Sequence, residues 1–251
     1  MNTNDLPEIA IIGGTGLTSL KGLTIIRREM VHTPWGEPSG PVTHGTLFGK
    51  KVAFIARHGY AHTIPPHMVN YRANIWALKE ISAGRIVAVA AVGGIHAKVV
   101  PGRLAIPDQI IDYTYGRGHT FFEDGLSRVV HVDFTSPYAG DLRHLLIRAA
   151  DEAGAGAWAG GTYGATQGPR LETAAEIDRL ERDGCDMVGM TGMPEAALAR
   201  ELDLDYAHLC VCANAAAGRG EGEIRMAELE ANLEQGIKSV KRVLEKLLAL
   251  I

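Results

Sequence analysis

Arg57-His58-Gly59, Val69-Asn70-Tyr71-Arg72-Ala73-Asn74-Ile75-Trp76-Ala77-Leu78-Lys79 and Ala90-Ala91-Val92-Gly93-Gly94 follow one another in the middle of this chain. The second run belongs to an expected helix over 68–81, with its apolar residues at helical spacing. An apolar run over 86–92 reads as a buried strand ending in small residues and glycines. A guanidinium and an imidazole thus stand on a loop ahead of a helix, and a strand then ends in bare backbone. Fixed positive charge, backbone N–H groups and room for a ligand are what a buried anion site at strand ends requires. Arg57 and His58 read best as an anion clamp, because guanidinium is permanently charged and forks onto phosphate oxygens.

Working outward, apolar strand-like runs alternate with helical periodicity. Residues 8–12 read as a first strand, ending in Gly13-Gly14-Thr15-Gly16. Segments 42–48 and 52–56 flank a Gly49-Lys50 hairpin turn. Short strands are expected at 104–106 and 109–113, and a helix over 141–153 with Leu142, Leu145, Leu146 and Ala149 on one face. Thr173 is placed to cap a helix ending near Arg182, with Glu176 at the capping-box position. A helix over 195–202 and a strand over 206–212 follow. Residues 224–250 carry Leu229, Leu233, Ile237, Val240, Leu244 and Leu247 at helical spacing. No linker, repeat or low-complexity tract interrupts the pattern. It predicts an α/β fold: a single domain over 1–251 with a central mixed β-sheet flanked by helices.

Composition narrows the function. A hydrophobic content of 46% suffices for a sizeable core. The net charge of −4, with no Lys/Arg cluster, argues against nucleic acid as a partner. No apolar run approaches membrane-spanning length, and residues 1–5 lack a basic, apolar leader pattern. Cys185, Cys210 and Cys212 are few and odd in number. A reducing compartment fits, so the expectation is a soluble cytoplasmic protein.

Several motifs admit two readings. Gly13–Gly16 after a strand is either a phosphate loop or a plain tight turn. A dinucleotide site would need a third glycine where Ser19 stands, and an acid near Arg27-Arg28-Glu29-Met30 that is not convincingly supplied. His58, His62 and His67 lack a completing carboxylate, and Gly59 and Pro65-Pro66 break the helix that would align them for a metal. Cys210-Val211-Cys212 reads as core packing, as do Trp76 and Leu78. No nucleophile elbow is present. Gly168-Pro169-Arg170-Leu171-Glu172-Thr173 precedes a helix, Met190-Thr191-Gly192-Met193-Pro194-Glu195 sets a hydroxyl at an element junction, and Asn214 follows a buried strand.

These motifs, in this order and spacing, resemble the methylthioadenosine/purine nucleoside phosphorylase family, from about Glu8 to Asn214 and less clearly through the last helix. The resemblance implies a phosphate site of Thr15, Arg57, His58, the Ala90–Ala91 backbone and Thr191. Ala90 replaces a threonine or serine often found there, so one side-chain donor is lost while the amide remains. Met190 would pack on the ribose, with Leu171, Glu172 and Asn214 at the base. Inorganic phosphate is then a co-substrate, with no cofactor and no metal. Phosphate stabilises a ribosyl cation-like transition state, and contacts to the purine stabilise its departure once N7 gains a proton. Arg57, His58, Glu172 and Asn214 would carry that chemistry.

Adenine-type relatives carry an aspartate at position 214, another at 216 and a small residue at 172. Here Asn214, Ala216 and Glu172 resemble the 6-oxopurine branch. Ionised Glu172 accepts from N1–H, while the Asn214 amide donates to O6 and accepts from protonated N7. That branch binds the 5′-hydroxyl with a C-terminal histidine, yet none occurs after His208. Met226 and Leu229, with Ile224, offer an apolar surface suited to a methylthio group. His131 would reach the pocket from a neighbouring subunit, implying a homotrimer. The expectation is a phosphorylase releasing hypoxanthine and 5-methylthioribose 1-phosphate from the 5′-methylthio 6-oxopurine nucleoside, which a deaminase acting on methylthioadenosine would supply. Inosine/guanosine and methylthioadenosine cleavage are the alternatives. A nucleotide-binding dehydrogenase and a catalytically dead nucleoside-binding module are the rivals from other classes.

Overall fold

A computed structural model describes residues 6–251; the leader reading over residues 1–5 lies outside the described residues. Side-chain alternation in the first strand, β1 (Ile9–Gly13), sets the layers. Ala10 and Ile12 pack with Ala53 and Ile55 of β4 (Lys50–Ala56) and with Ile75 and Leu78 of α1 (Tyr71–Glu80). Ile9 and Ile11 join Val52 and Phe54, Leu142 and Leu146 of α2 (Gly140–Glu152), and Val240 and Leu244 of α5 (Met226–Leu250). A strand covered on both faces must be apolar at every position, which is why β1 reads as a continuous run. Each large side chain buried this way stabilises the fold by about 1.5–3 kcal/mol.

The remaining strands are β2 (Thr24–Glu29), β3 (Val42–Leu47), β5 (Arg85–Gly94), β6 (Leu104–Ile106), β7 (Gln109–Asp112), β8 (Trp158–Ala159), β9 (Thr162–Ala165), β10 (Met187–Gly189) and β11 (Asp205–Ala215). The sheet runs β2-β3-β4-β1-β5-β10-β9-β7, with β11 on β5 and β6, and β8 on β6. It is mixed: β1 is parallel to β4 and β5, whereas β10 is antiparallel to β5. Helices α3 (Ala174–Arg182) and α4 (Gly192–Glu201) complete the flanking layers.

One feature of the pairing creates the site. Strand β5 keeps β11 alongside it for its whole length, from Arg85↔Asp205 to Gly94↔Ala215. On its other edge it pairs with β1 through Ile86–Ala88 and then with β10 only at Gly93 and Gly94. Between those partners the backbone of residues 89–92 has no strand beside it on that edge. Ligands in α/β sheets bind at such switch points, outside the strand ends.

Element boundaries depart from expectation where local chemistry overrides periodicity. The β3–β4 turn is Phe48-Gly49, both at positive φ (49° and 82°), as a two-residue hairpin requires. Lys50 is therefore already in β4. Helix α1 begins at Tyr71 rather than Met68, because the Asn70 side chain accepts from the Ala73 N–H and caps it. Pro66–Met68 forms a separate 3₁₀ turn. Helix α4 starts at Gly192, with Met193 non-helical inside it. The capping box at Thr173 and Glu176 forms as expected. The Gly13–Gly16 loop leads into turns rather than a helix, and β2 lies antiparallel to β3 far from β1. The βαβ unit of a dinucleotide site is thus missing.

Candidate active site

A cavity of about 420 Å³ opens where β1, β4, β5, β10 and β11 end. That is within the ordinary range for a small-molecule site. Thr15, Arg57, His58, Ala90, Ala91 and Thr191 all line it. So do Met190, Leu171, Glu172 and Asn214, from the second half of the chain. Gly14 brings its chain against β5: a Cβ there would stand 2.6 Å from the Val89 carbonyl and 2.8 Å from Arg57 Nη1. Only glycine permits that approach.

The cationic end differs from the expected clamp. Arg57 is fully buried at the end of β4, and its fork is already engaged. Nε donates to Glu195 Oε2 at 2.7 Å and Nη2 to Oε1 at 2.8 Å, while Nη1 donates to the Val89 carbonyl at 2.9 Å. Three of five N–H groups are used, so two remain for a ligand in the cavity. The bidentate face thus grips protein rather than an incoming anion. Burial opposes the charge, but Glu195 outweighs it and holds the guanidinium protonated above its ordinary value.

Glu195 is the residue that sequence reasoning passed over, although it closes a quoted motif. Its Oε1 also accepts from Tyr206 Oη at 2.8 Å. The Tyr206 proton is used there, so the contact of its oxygen with His208 Nε2, at 3.1 Å, makes that nitrogen the donor. Nδ1 of His208 then accepts from Tyr138 Oη at 3.3 Å. Burial, aided by the Arg57 charge, keeps His208 neutral, well below its ordinary value. Every polar atom behind Arg57 is therefore matched, as a buried network requires.

His58 also departs from the clamp reading. Its Nδ1 lies 2.8 Å from the Ile64 carbonyl, which can only accept, so Nδ1 carries the proton. Burial, with the Arg57 charge adding, lowers the imidazole to about 4. At neutral pH the ring thus keeps an unprotonated Nε2 with a lone pair, which repels an anion. A dianion bound against it would raise its proton affinity, so binding takes up a proton and tightens as pH falls from the bound-state value toward the free-state value of about 4. Sulfate, which does not itself titrate here, should bind more tightly from pH 8 to pH 5, by up to about tenfold per unit. His58→Gln should flatten that slope. Calorimetric titration across this range checks it, and a flat wild-type profile would show that the ring stays neutral. His62 also lines the cavity, at a positive φ of 53° and edge-on to His58 at 5.0 Å.

At the opposite wall, Glu172 Oε1 accepts from Thr166 Oγ1 at 2.6 Å, which fixes the carboxylate rotamer. Asn214 follows a bulge in β11, where the register shifts and Asn214 pairs with Gly93. Bulges re-aim a side chain. Its Nδ2 donates to the Ala215 carbonyl at 2.7 Å, which orients the amide. One N–H and Oδ1 are left for a ligand. The buried Ala216 adds no polar atom to this wall.

Ile224, Met226 and Leu229 line the third side of the same cavity. Met226 opens α5 and is 60% exposed, so this end is incompletely covered by the chain itself. His131 is not gathered here. It lies exposed in a stretch without helix or strand, flanked by the exposed Val129, Val130 and Val132.

The model of the phosphorylase superfamily matches residues 8–249. A probable S-methyl-5′-thioinosine phosphorylase of Pseudomonas syringae pv. tomato is 55% identical over 96% of this chain and 98% of its own. A probable 6-oxopurine nucleoside phosphorylase of Dictyoglomus turgidum is 43% identical over 94% and 89%. Among solved structures, methylthioadenosine phosphorylase of Schistosoma mansoni in complex with adenine superposes with a TM-score of 0.92. It is 29% identical, covering 97% of this chain and 91% of that one.

Proposed function

This chain belongs to the phosphorylase superfamily, and we propose that within it the chain cleaves S-methyl-5′-thioinosine with inorganic phosphate, releasing hypoxanthine and 5-methylthioribose 1-phosphate. The observation that carries this reading is a single cavity with three chemically distinct walls. Glu172 and Asn214 form one, Arg57, His58 and Thr191 the second, and Ile224, Met226 and Leu229 the third.

Each wall matches one part of the substrate. Glu172 accepts from N1–H of hypoxanthine, and the free Asn214 N–H and Oδ1 match O6 and protonated N7. Phosphate sits against the two remaining Arg57 N–H groups, Thr15, Thr191 and the Ala91 N–H, which shares the open edge of β5 with the Val89 carbonyl, while Ala90 turns its backbone toward β11. Displacement of the base from C1′ builds positive charge on the ribose, which the phosphate dianion stabilises at short range, and Met190 packs on the sugar. The apolar third wall favours a methylthio group over a 5′-hydroxyl, by about 1–2 kcal/mol. Inosine, the substrate under the rival 6-oxopurine reading, would set its 5′-hydroxyl against these apolar side chains.

We further infer a homotrimer, with His131 of a neighbouring copy closing the exposed 5′ end, and phosphate as the sole co-substrate. The three cysteines are free and buried, which fits a cytoplasmic enzyme. No helix among the described residues is long and apolar enough to cross a membrane.

The test is phosphate-dependent release of hypoxanthine from S-methyl-5′-thioinosine and from inosine. The thioether substrate should show a kcat/KM about tenfold higher or more, as 1–2 kcal/mol implies. Equal or faster turnover of inosine would overturn the assignment of the third wall.

A further inference from the structure

We propose that Arg117, outside every motif above, is a positioning residue that ties the base-recognition loop to the ribose and phosphate loop. The proposal rests on the reading of the cavity as a nucleoside and phosphate site. Arg117 stands in the irregular segment after β7 and does not line the cavity.

Its guanidinium binds two loops at once. Nη1 donates to the carbonyls of Met190 at 2.9 Å and Met193 at 2.6 Å. Nη2 donates to the carbonyls of Gln167 at 2.9 Å and Thr166 at 3.3 Å, and Nε to Gln167 Oε1 at 3.2 Å. The first pair of carbonyls flanks Thr191, the hydroxyl of the phosphate wall. The second pair includes the carbonyl of Thr166, whose Oγ1 holds Glu172. A third anchor is Tyr71, whose oxygen accepts from Nη1 at 3.2 Å and whose ring lies under the guanidinium at 5.3 Å. Tyr71 in turn donates to the carbonyl of Pro66, a residue of the cavity wall.

All these hydrogen bonds end on neutral oxygens, so the cation is not serving as half of an ion pair. Its planar fork satisfies carbonyls that two separate loops leave behind when they turn their side chains into the cavity. A lysine, as a point charge with three rotatable donors, cannot span the same set. Displacing a catalytic loop by about 1 Å costs on the order of 10²-fold in rate. Loss of the clamp should therefore act on both loops together.

Steady-state kinetics with nucleoside and phosphate varied separately test this. In Arg117→Gln, kcat/KM should fall about 10²-fold with KM raised for both substrates, and Arg117→Lys should recover little of it. Thr166→Val keeps the clamped carbonyls and removes the hold on Glu172 together with a longer contact to the Gly189 carbonyl, so it should raise KM chiefly for the nucleoside. Guanidinium chloride at millimolar concentration should restore part of the lost kcat to Arg117→Ala, where equal sodium chloride does not. A folded Arg117→Gln or Arg117→Lys with both KM values within about threefold of wild type, against the shift expected from loop displacement, overturns the proposal. Should these variants fail to fold, Gln167→Ala leaves every clamped carbonyl in place and removes the Oε1 that accepts from Arg117 Nε and from the Tyr115 N–H; it should raise both KM values severalfold, and no change would overturn the clamp. Absence of phosphate-dependent cleavage in the wild type is a different outcome, one that refutes the functional reading.

Discussion

Replacement of Glu195 by alanine is expected to destabilise the protein by about 3–5 kcal/mol, because it strands a fully buried guanidinium without its counter-ion. Arg57 and Glu195 are both fully buried, and the carboxylate accepts two Arg57 bonds and one from Tyr206. The alanine leaves those three donors without an acceptor in a place water does not reach. In a domain of this size each kcal/mol moves the melting midpoint by about 2–4 °C, so a fall on the order of 10 °C should follow. Glu195→Gln keeps the volume and one acceptor oxygen, and should lie between alanine and wild type. The measurement is urea unfolding with the slope held as a control, since a changed midpoint at constant slope isolates stability. Activity provides an independent readout. A guanidinium released from its carboxylate no longer presents its two free N–H groups at a fixed angle, so KM for phosphate should rise more than KM for the nucleoside. A Glu195→Ala protein that melts with wild type would mean that the pair contributes nothing net.

Exchanging the polar groups on the base wall should change which purine leaves. Glu172→Gln replaces an acceptor by a group that can donate to the N1 lone pair of adenine, and Asn214→Asp replaces the donor to O6 by an acceptor. Each unmatched buried group costs about 1–3 kcal/mol. The ratio of kcat/KM for S-methyl-5′-thioinosine to that for methylthioadenosine should therefore fall by roughly 10²–10⁴ in the double variant. The single variants should each give part of that shift. The two substrates differ only at the base, so the ratio cancels any general loss of activity. An unchanged ratio would place the purine away from Glu172 and Asn214.

Much of this architecture was legible because buried elements write their environment into the chain. Strands β1, β5 and β11 are covered on both faces and read as apolar runs, and α2 and α5 carry stripes at helical spacing. Strand β2 escaped notice because it is an exposed edge, with no alternation between inside and outside to detect. Strand β9, Thr-Tyr-Gly-Ala, is too short and too glycine-bearing to stand out. The cavity residues were found through motifs, yet their electrostatics were not. Arg57 meets Glu195 across 138 positions, and no local pattern announces such a pairing. The protonation state of His58 depends on a carbonyl six residues on and on burial, both products of tertiary structure. Arg117 carries no motif at all, since most of its partners are backbone oxygens, and the two side chains it meets, Tyr71 and Gln167, lie about fifty positions away.

The unpaired stretch of β5 has a consequence for how this scaffold can change. A main-chain N–H is lost only when proline replaces its residue, so under the proposed reading the nucleophile's berth there survives without a hydroxyl at Ala90. Selectivity must then be rewritten at the heterocycle and at the thioether, where side chains hold the information, while the attacking group keeps its seat by virtue of connectivity alone.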